Sequence, residues 1–273
     1  MNRTTASLHS PRLARKKRAR GRRKLIFWAT TAFVLIGGLL YLFNLPRFLI
    51  SKVVVRGATE EVAATIGAMA QKTLDGSYLG ILSKAHPFFY PKGALAAEAL
   101  AAFPEFESAN FGRDDTGELV ITVIPRTPVA LWCASSLCFF VDASGLAYGE
   151  ASSDSQSEYY KLGSSETESP AGIVGHFVIS ATQLSQILAL FSGLEARGLV
   201  PLTANFNAVG ETEVTLENSA RLLILTPDYE TALARLDLLL KKEGLLPRRD
   251  GTKDLLVDYL DLRYGNKVYF KPK

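Results

Sequence analysis

Three hydropathy regimes divide the 273-residue chain. Residues 1–24 are polar and basic. Leu25 to Phe43 is a run of nineteen residues without a charge, and beyond Asn44 short apolar stretches alternate with turn-forming residues. As a helix rising about 1.5 Å per residue, the uncharged run spans about 28 Å, close to the roughly 30 Å hydrocarbon core of a bilayer. Trp28 and Tyr41 stand near its two ends, where aromatic rings suit the membrane interfaces. Asn44-Leu45-Pro46-Arg47 ends the run. A cleaved signal peptide would have a shorter core and a small-x-small site, which Leu42-Phe43-Asn44-Leu45 lacks; an organelle transit peptide would be amphipathic. The pattern predicts an uncleaved signal anchor.

Beyond the anchor, Phe48–Val55 is β-branched and predicts a strand. Thr59 predicts a cap for a helix over Glu60–Leu74, with Glu60 and Glu61 in its first turn and Val62, Ile66, Met69 and Ala70 at helical spacing. Asp75–Gly80 is a Gly/Tyr loop. Pro91–Phe103 is a second, Ala-rich helix. Glu107–Phe111 and Glu118–Ile124 are strands around Asp114-Asp115-Thr116-Gly117, where the adjacent carboxylates are turn formers. Leu131–Cys133 and Leu137–Asp142 predict a hairpin, and a further strand follows the Asp142–Gly145 turn. Residues 149–170 hold seven Ser and five acids and predict an exposed loop insertion. Ser180-Ala181-Thr182-Gln183 is a capping box ahead of the stripe Leu184, Ile187, Leu188, Phe191 and Leu194, closed by Gly198. Strands are predicted near 204–209, 212–217 and 220–226. Thr226-Pro227 opens another helix, with Pro at its first position, and Gly244 stops it. Leu255–Tyr264 and Lys267–Phe270 are two last strands, joined by Gly265-Asn266 as a two-residue turn.

Charge sharpens the topology. The net charge is +4, but residues 1–24 hold ten of the 31 Lys/Arg and no acid. Removing those ten leaves 21 basic residues against 27 acids, so residues 25–273 carry −6. By the positive-inside rule the tail stays in the cytoplasm and residues 44–273 lie outside it. An acidic body argues against nucleic-acid binding, which needs a basic face. With 48% apolar residues the chain is not disordered as a whole, and two Cys are too few for a disulfide scaffold.

Catalytic patterns are scarce. There is no Gly-x-Ser-x-Gly elbow, no phosphate-binding loop, no Gly-x-Gly-x-x-Gly and no His-Glu-x-x-His. His9, His86 and His176 are scattered. Cys133 and Cys138 flank a four-residue loop between two strands. Outside the cytoplasm they can form a disulfide that pins the hairpin; two buried thiols, or a metal site with ligands from elsewhere, are the alternatives.

Three segments carry a resemblance. Val123-Ile124-Pro125-Arg126-Thr127-Pro128-Val129-Ala130-Leu131-Trp132, Phe140-Val141-Asp142-Ala143-Ser144-Gly145-Leu146-Ala147-Tyr148 and Tyr259-Leu260-Asp261-Leu262-Arg263-Tyr264-Gly265-Asn266-Lys267-Val268-Tyr269 are similar, in order and spacing, to the junction, turn and terminal strand pair of the FtsQ/DivIB family of bacterial cell-division proteins. Together with a β-α-α-β-β module behind one membrane helix, the likeness covers nearly the whole chain. Pro125 stands where the family usually has Glu, and neither the Cys pair nor the Ser/acid-rich insertion is a family feature.

The expected fold is α+β: a basic tail (1–24), a transmembrane helix (25–45), a POTRA module (47–125), and a mixed α+β domain with a largely antiparallel sheet (126–273) that contains the 149–170 loop insertion. The resemblance implies a non-enzymatic, single-pass scaffold of the plasma membrane at the division septum. It also implies single-span coiled-coil partners of the FtsB/DivIC and FtsL types, and neither cofactor nor small-molecule substrate. A membrane-anchored extracytoplasmic cell-wall enzyme and a POTRA-bearing export factor are the alternatives. The expected partner surface is the last strand as an open edge, with Arg263 meeting a partner carboxylate and Tyr264, Lys267, Val268, Tyr269 and Phe270 around it.

Overall fold

The computed structural model describes residues 11–45, 49–114, 116–165, 170–241, 255–265 and 267–273. It is a mixed α+β protein with five α-helices among those residues. Helix α1 runs from Pro11 to Phe43, so the helix extends back through the basic segment beyond the apolar run. Its stretch Arg23–Phe43 is long and apolar enough to cross a membrane, and none of that window is buried by the rest of the protein.

The chain clusters into two compact units, Met1–Ala99 plus Ala109–Val123, which includes α1, and Leu100–Ser108 plus Ile124–Lys273. The first contains β1 (Val53–Arg56), α2 (Glu60–Leu74), the short strands β2 (Ser77–Tyr78) and β3 (Leu82–Ser83), and most of α3 (Lys92–Ala102). Strands β4 (Phe106–Arg113) and β5 (Leu119–Pro125) complete a three-stranded sheet in the order β1-β5-β4, with β1 parallel to β5. Helix α2 forms because Ile66, Ala70 and Leu74 recur every four residues and bury one face, while Glu60 and Glu61 meet the positive end of its dipole and Lys72 the negative end. Thr59 is its N-cap residue, but its side chain makes no capping hydrogen bond.

The second unit is built on one ten-stranded sheet. Its strands are β6 (Ala130–Ala134), β7 (Leu137–Val141), β8 (Leu146–Glu150), β9 (Lys161–Ser164), β10 (His176–Phe177), β11 (Pro201–Phe206), β12 (Glu211–Leu216), β13 (Arg221–Leu225), β14 (Val257–Asp261) and β15 (Tyr269–Pro272). They lie in the order β10-β8-β7-β6-β9-β11-β12-β13-β14-β15. Most neighbours are antiparallel, but β9 is parallel to both β6 and β11, and β13 is parallel to β14. Helices α4 (Ala181–Glu195) and α5 (Tyr229–Lys241) bury Leu184, Ile187, Leu190, Phe191 and Leu194, and Tyr229, Ala232 and Leu236, in one core with the sheet. Each of the Leu, Ile and Phe side chains contributes about 1.5–3 kcal/mol through its removal from water. The capping box of α4 is complete: the Ser180 hydroxyl accepts from Gln183 N, and the Gln183 side chain accepts from Ser180 N.

Strand alternation divides the sheet faces. Ala130, Trp132 and Ala134 join the large core, whereas Leu131 lies with Cys138 and Ala151 in a smaller cluster that Cys133, Phe140 and Tyr159 flank. Cys133 and Cys138 are direct cross-strand partners and are joined by a disulfide.

The structure corrects several local expectations. The 149–170 segment is not simply a loop. Its first residues finish β8, Ser155–Ser157 form a 3₁₀ turn, and Lys161–Ser164 is the strand between β6 and β11. Leu162 is buried in the large core, and Gly163 is buried between the paired strands β6 and β11. The strand expected from Phe48 begins only at Val53, and Phe48 itself lies outside the described residues. The Gly/Tyr loop contains β2, which forms a hairpin with β3 just beyond it. The strand placed at 204–209 is Pro201–Phe206, since Asn207–Gly210 form the turn into β12. Pro227 does not open α5: the Thr226–Pro227 peptide is cis and the helix starts at Tyr229. Gly244, Asp115 and Asn266 lie outside the described residues. β14 ends at Asp261 and β15 starts at Tyr269, and the expected Gly265-Asn266 turn falls partly outside the described residues.

Candidate functional site

Strand β15 is the last strand of the ten-stranded sheet, and among the described residues it pairs on one side only, with β14. Tyr269, Phe270, Lys271 and Pro272 are all exposed. Which backbone groups point outward follows from the ladder. Lys273 N donates to Leu256 O, so Lys273 faces β14, and by alternation Lys271 does as well. The one register shift in this pair falls between Val257 and Tyr259 on β14, so the alternation along β15 is unbroken. Phe270 therefore turns its N–H and C=O to the open side. Pro272 offers only a carbonyl there, which shortens the usable edge.

The chain that leads into β15 is held at Leu262 and Arg263 by a charged network. Arg263 donates from Nε to Asp261 Oδ1 (2.9 Å) and from Nη2 to Asp261 Oδ2 (2.6 Å), a two-pronged pair. Its Nη1 donates to Glu211. Asn207 closes the network, with its Nδ2 donating to Glu211 Oε2 (2.8 Å) and its Oδ1 accepting from Glu211 N (2.8 Å). Burial alone would push the Asp261 carboxyl up, but the hydrogen bonds and charge of Arg263 outweigh it and hold the group below its ordinary range. Glu211 is held low first by the Asn207 hydrogen bond and then by Arg263. Arg235 donates from Nη1 to Leu262 O (2.6 Å), fixing the same loop from α5.

Sequence reading placed Arg263 opposite a partner carboxylate. The structure instead commits its guanidinium to Asp261 and Glu211 of the same chain, the second of which is 52 residues away. Arg263 is a positioning residue here: its guanidinium lies 5.9 Å from the Tyr264 ring, which meets Tyr269 edge-on at 5.4 Å. Lys267 and Val268 precede the strand; Lys267 is exposed and Val268 packs against the core. The outer surface left by this arrangement is Tyr264, Tyr269 and Phe270, 51%, 50% and 37% exposed. Sequence reading missed Glu211, Asn207 and Asp261 as its supports. It also missed Asp258, which pairs with Lys271 (3.2 Å) and Arg221 (3.6 Å) and ties β15 to β14 and β13.

Another charged pair holds the start of the second unit. Asp142 Oδ1 accepts from Ser144 N, Ser144 Oγ and Leu146 N, while Oδ2 accepts from Arg126. A Cβ on Gly145 (φ +88°) would sit 1.9 Å from Ile179 O, so this turn requires glycine. These contacts satisfy the buried Asp142 carboxylate. Among the described residues, no group of three or more His, Cys, Asp or Glu is arranged to hold a metal ion. His86 is buried, whereas His176 is exposed on β10. No protein-family model and no curated protein sequence matches the chain.

Proposed function

We propose that this chain is a bitopic scaffold of the bacterial divisome, similar to FtsQ/DivIB, that binds single-span coiled-coil partners of the FtsB/DivIC and FtsL types along the open edge of β15. In this reading the basic segment stays in the cytoplasm, α1 crosses the inner membrane, and both folded units lie outside it. The unit built on β1, α2, α3, β4 and β5 acts as a POTRA module that helps bring the protein to the septum.

The observation that carries the reading is the β15 edge. Its outward Phe270 backbone can pair with an added strand, and Tyr264, Tyr269 and Phe270 supply aromatic anchors beside it. Main-chain pairing gives affinity, and the aromatic side chains give specificity. Val268, which belongs to the core, is untouched by removal of Tyr269–Lys273. That deletion is expected to abolish capture of FtsB/DivIC-type segments in a pull-down while leaving the melting of the remaining protein nearly unchanged. Undiminished capture by the deleted protein would refute the edge as the binding site. A fluorescent fusion of the full chain is expected to form midcell bands; a uniform membrane signal would refute the division role.

A further inference from the structure

The segment between α2 and α3 exposes apolar side chains that nothing in its own fold covers. At the β2–β3 hairpin, Ile81 N donates to Tyr78 O (3.0 Å), and the two residues between are Leu79 (φ +52°) and Gly80 (φ +70°). Glycine or asparagine favours this left-handed geometry, and a leucine there is uncommon. Leu79 is nonetheless at the tip and 96% exposed. Phe88 is 82% exposed, with Ile81 and Phe89 at 57% and 49%. From Gly76 to Ala97 there is no acidic residue, and Lys84 and Lys92 are present.

What lies beside these side chains is the end of α1. Asn44 donates from Nδ2 to Ile81 O (2.8 Å) and accepts at Oδ1 from Ser83 N (3.1 Å). The Phe43 ring meets His86 edge-on at 5.1 Å. Leu79 is two residues from Ile81, hence within about 7 Å of it by chain length. That is comparable to the roughly 5–10 Å by which interfacial apolar faces enter a bilayer. Between α1 and the 86–88 turn is a cavity of about 400 Å³ lined by Leu39, Leu42, Phe43, His86, Pro87 and Phe88, with Arg113 at its rim. Burial, reinforced by the charge of Arg113, holds His86 below its ordinary range, which keeps the lining uncharged apart from Arg113.

We propose that the β2–β3 hairpin and the 86–89 turn insert into the bilayer interface beside α1 and take phospholipid there, acyl carbons against Leu79, Ile81 and Phe88 and the phosphate toward Arg113. This rests on the reading of α1 as a membrane span. Insertion fixes the first folded unit to the membrane surface at a second point beside α1.

The test uses the full chain in phosphatidylethanolamine/phosphatidylglycerol vesicles. Cys133 and Cys138 are joined to each other, so a single introduced cysteine takes an environment-sensitive dye. Dyes on Leu79→Cys and, separately, Phe88→Cys are expected to shift to the blue and to lose intensity to lipids spin-labelled near the headgroup. A dye on Val209→Cys, 77% exposed in the other unit, is expected to do neither. Ile36→Cys, in the apolar part of α1, should be quenched by lipids spin-labelled deep in the chain. Quenching at Ile36 with water-like spectra at 79 and 88 overturns the insertion and spares the membrane span. Loss of quenching at Ile36 overturns both.

Discussion

Strands β9 and β15 are each four residues long and share one sheet, yet opposite means hold them in place. β9 has a parallel neighbour on each side, Leu162 is 1% exposed, and a Cβ on Gly163 would come within 2.9 Å of Cys133 O. β15 has one neighbour among the described residues and no buried side chain. Its position comes from polar contacts: the Arg263 network before it, the Lys271–Asp258 pair, and the Lys273 N–H to Leu256 O bond. Fixing an edge strand by burial would hide its rim. Fixing it by polar contacts leaves its outward backbone and its aromatic side chains uncovered.

The comparison breaks most visibly at β9. Leu162→Ala is expected to destabilise the second unit by about 3 kcal/mol, the usual order for emptying a buried leucine site, as read from chemical or thermal unfolding. A loss under about 1 kcal/mol would mean that β9 is not held by burial. Arg263→Ala leaves the buried Asp261 carboxylate without its partner, an expected loss of about 2 kcal/mol; Arg263→Lys should recover only part, because an ammonium cannot make the two-pronged pair. Cys133→Ser with Cys138→Ser opens a loop whose ends are 5 residues apart, and the short loop limits the loss to about 2 kcal/mol or less.

Acid should separate the two strands further. Asp261 and Glu211 have lower pKa values folded than unfolded. Their stabilisation is therefore complete above the ordinary carboxylate range near pH 4 and is lost as the pH falls through their lowered folded values. Melting between pH 6 and pH 2 is expected to fall less steeply in Arg263→Ala than in the parent chain, because the variant has already lost the main cause holding Asp261 low. Equal slopes would remove the network from the account.

The elements that sequence made legible are those whose signals are local. The Ser180–Gln183 capping box, the helix over Glu60–Leu74 and the Cys133/Cys138 hairpin each rest on residues close in sequence, and the structure carries each of them. β9 was hidden because four residues are too few to show an alternation, and its serine- and acid-rich flanks read as loop. The supports of the candidate edge were hidden for another reason. Arg263 is legible as a cation near the end of the sheet, but its tie to Glu211 exists only because β12, β13 and β14 lie side by side. One of its two carboxylates, Glu211, is 52 residues away, so sequence alone does not show that pair.

The central claim, that a partner adds to the outward backbone of β15, is tested most directly at one amide. Phe270→Pro removes the outward N–H without touching the ladder to β14, and Phe270→Ala removes the ring but keeps the N–H. Binding of an FtsB/DivIC-type segment to the full chain is measured for both, alongside melting. The account predicts that Phe270→Pro melts within about 0.5 kcal/mol of Phe270→Ala in stability and binds the segment at least tenfold more weakly, about 1.4 kcal/mol. Equal binding by the two variants would contradict it.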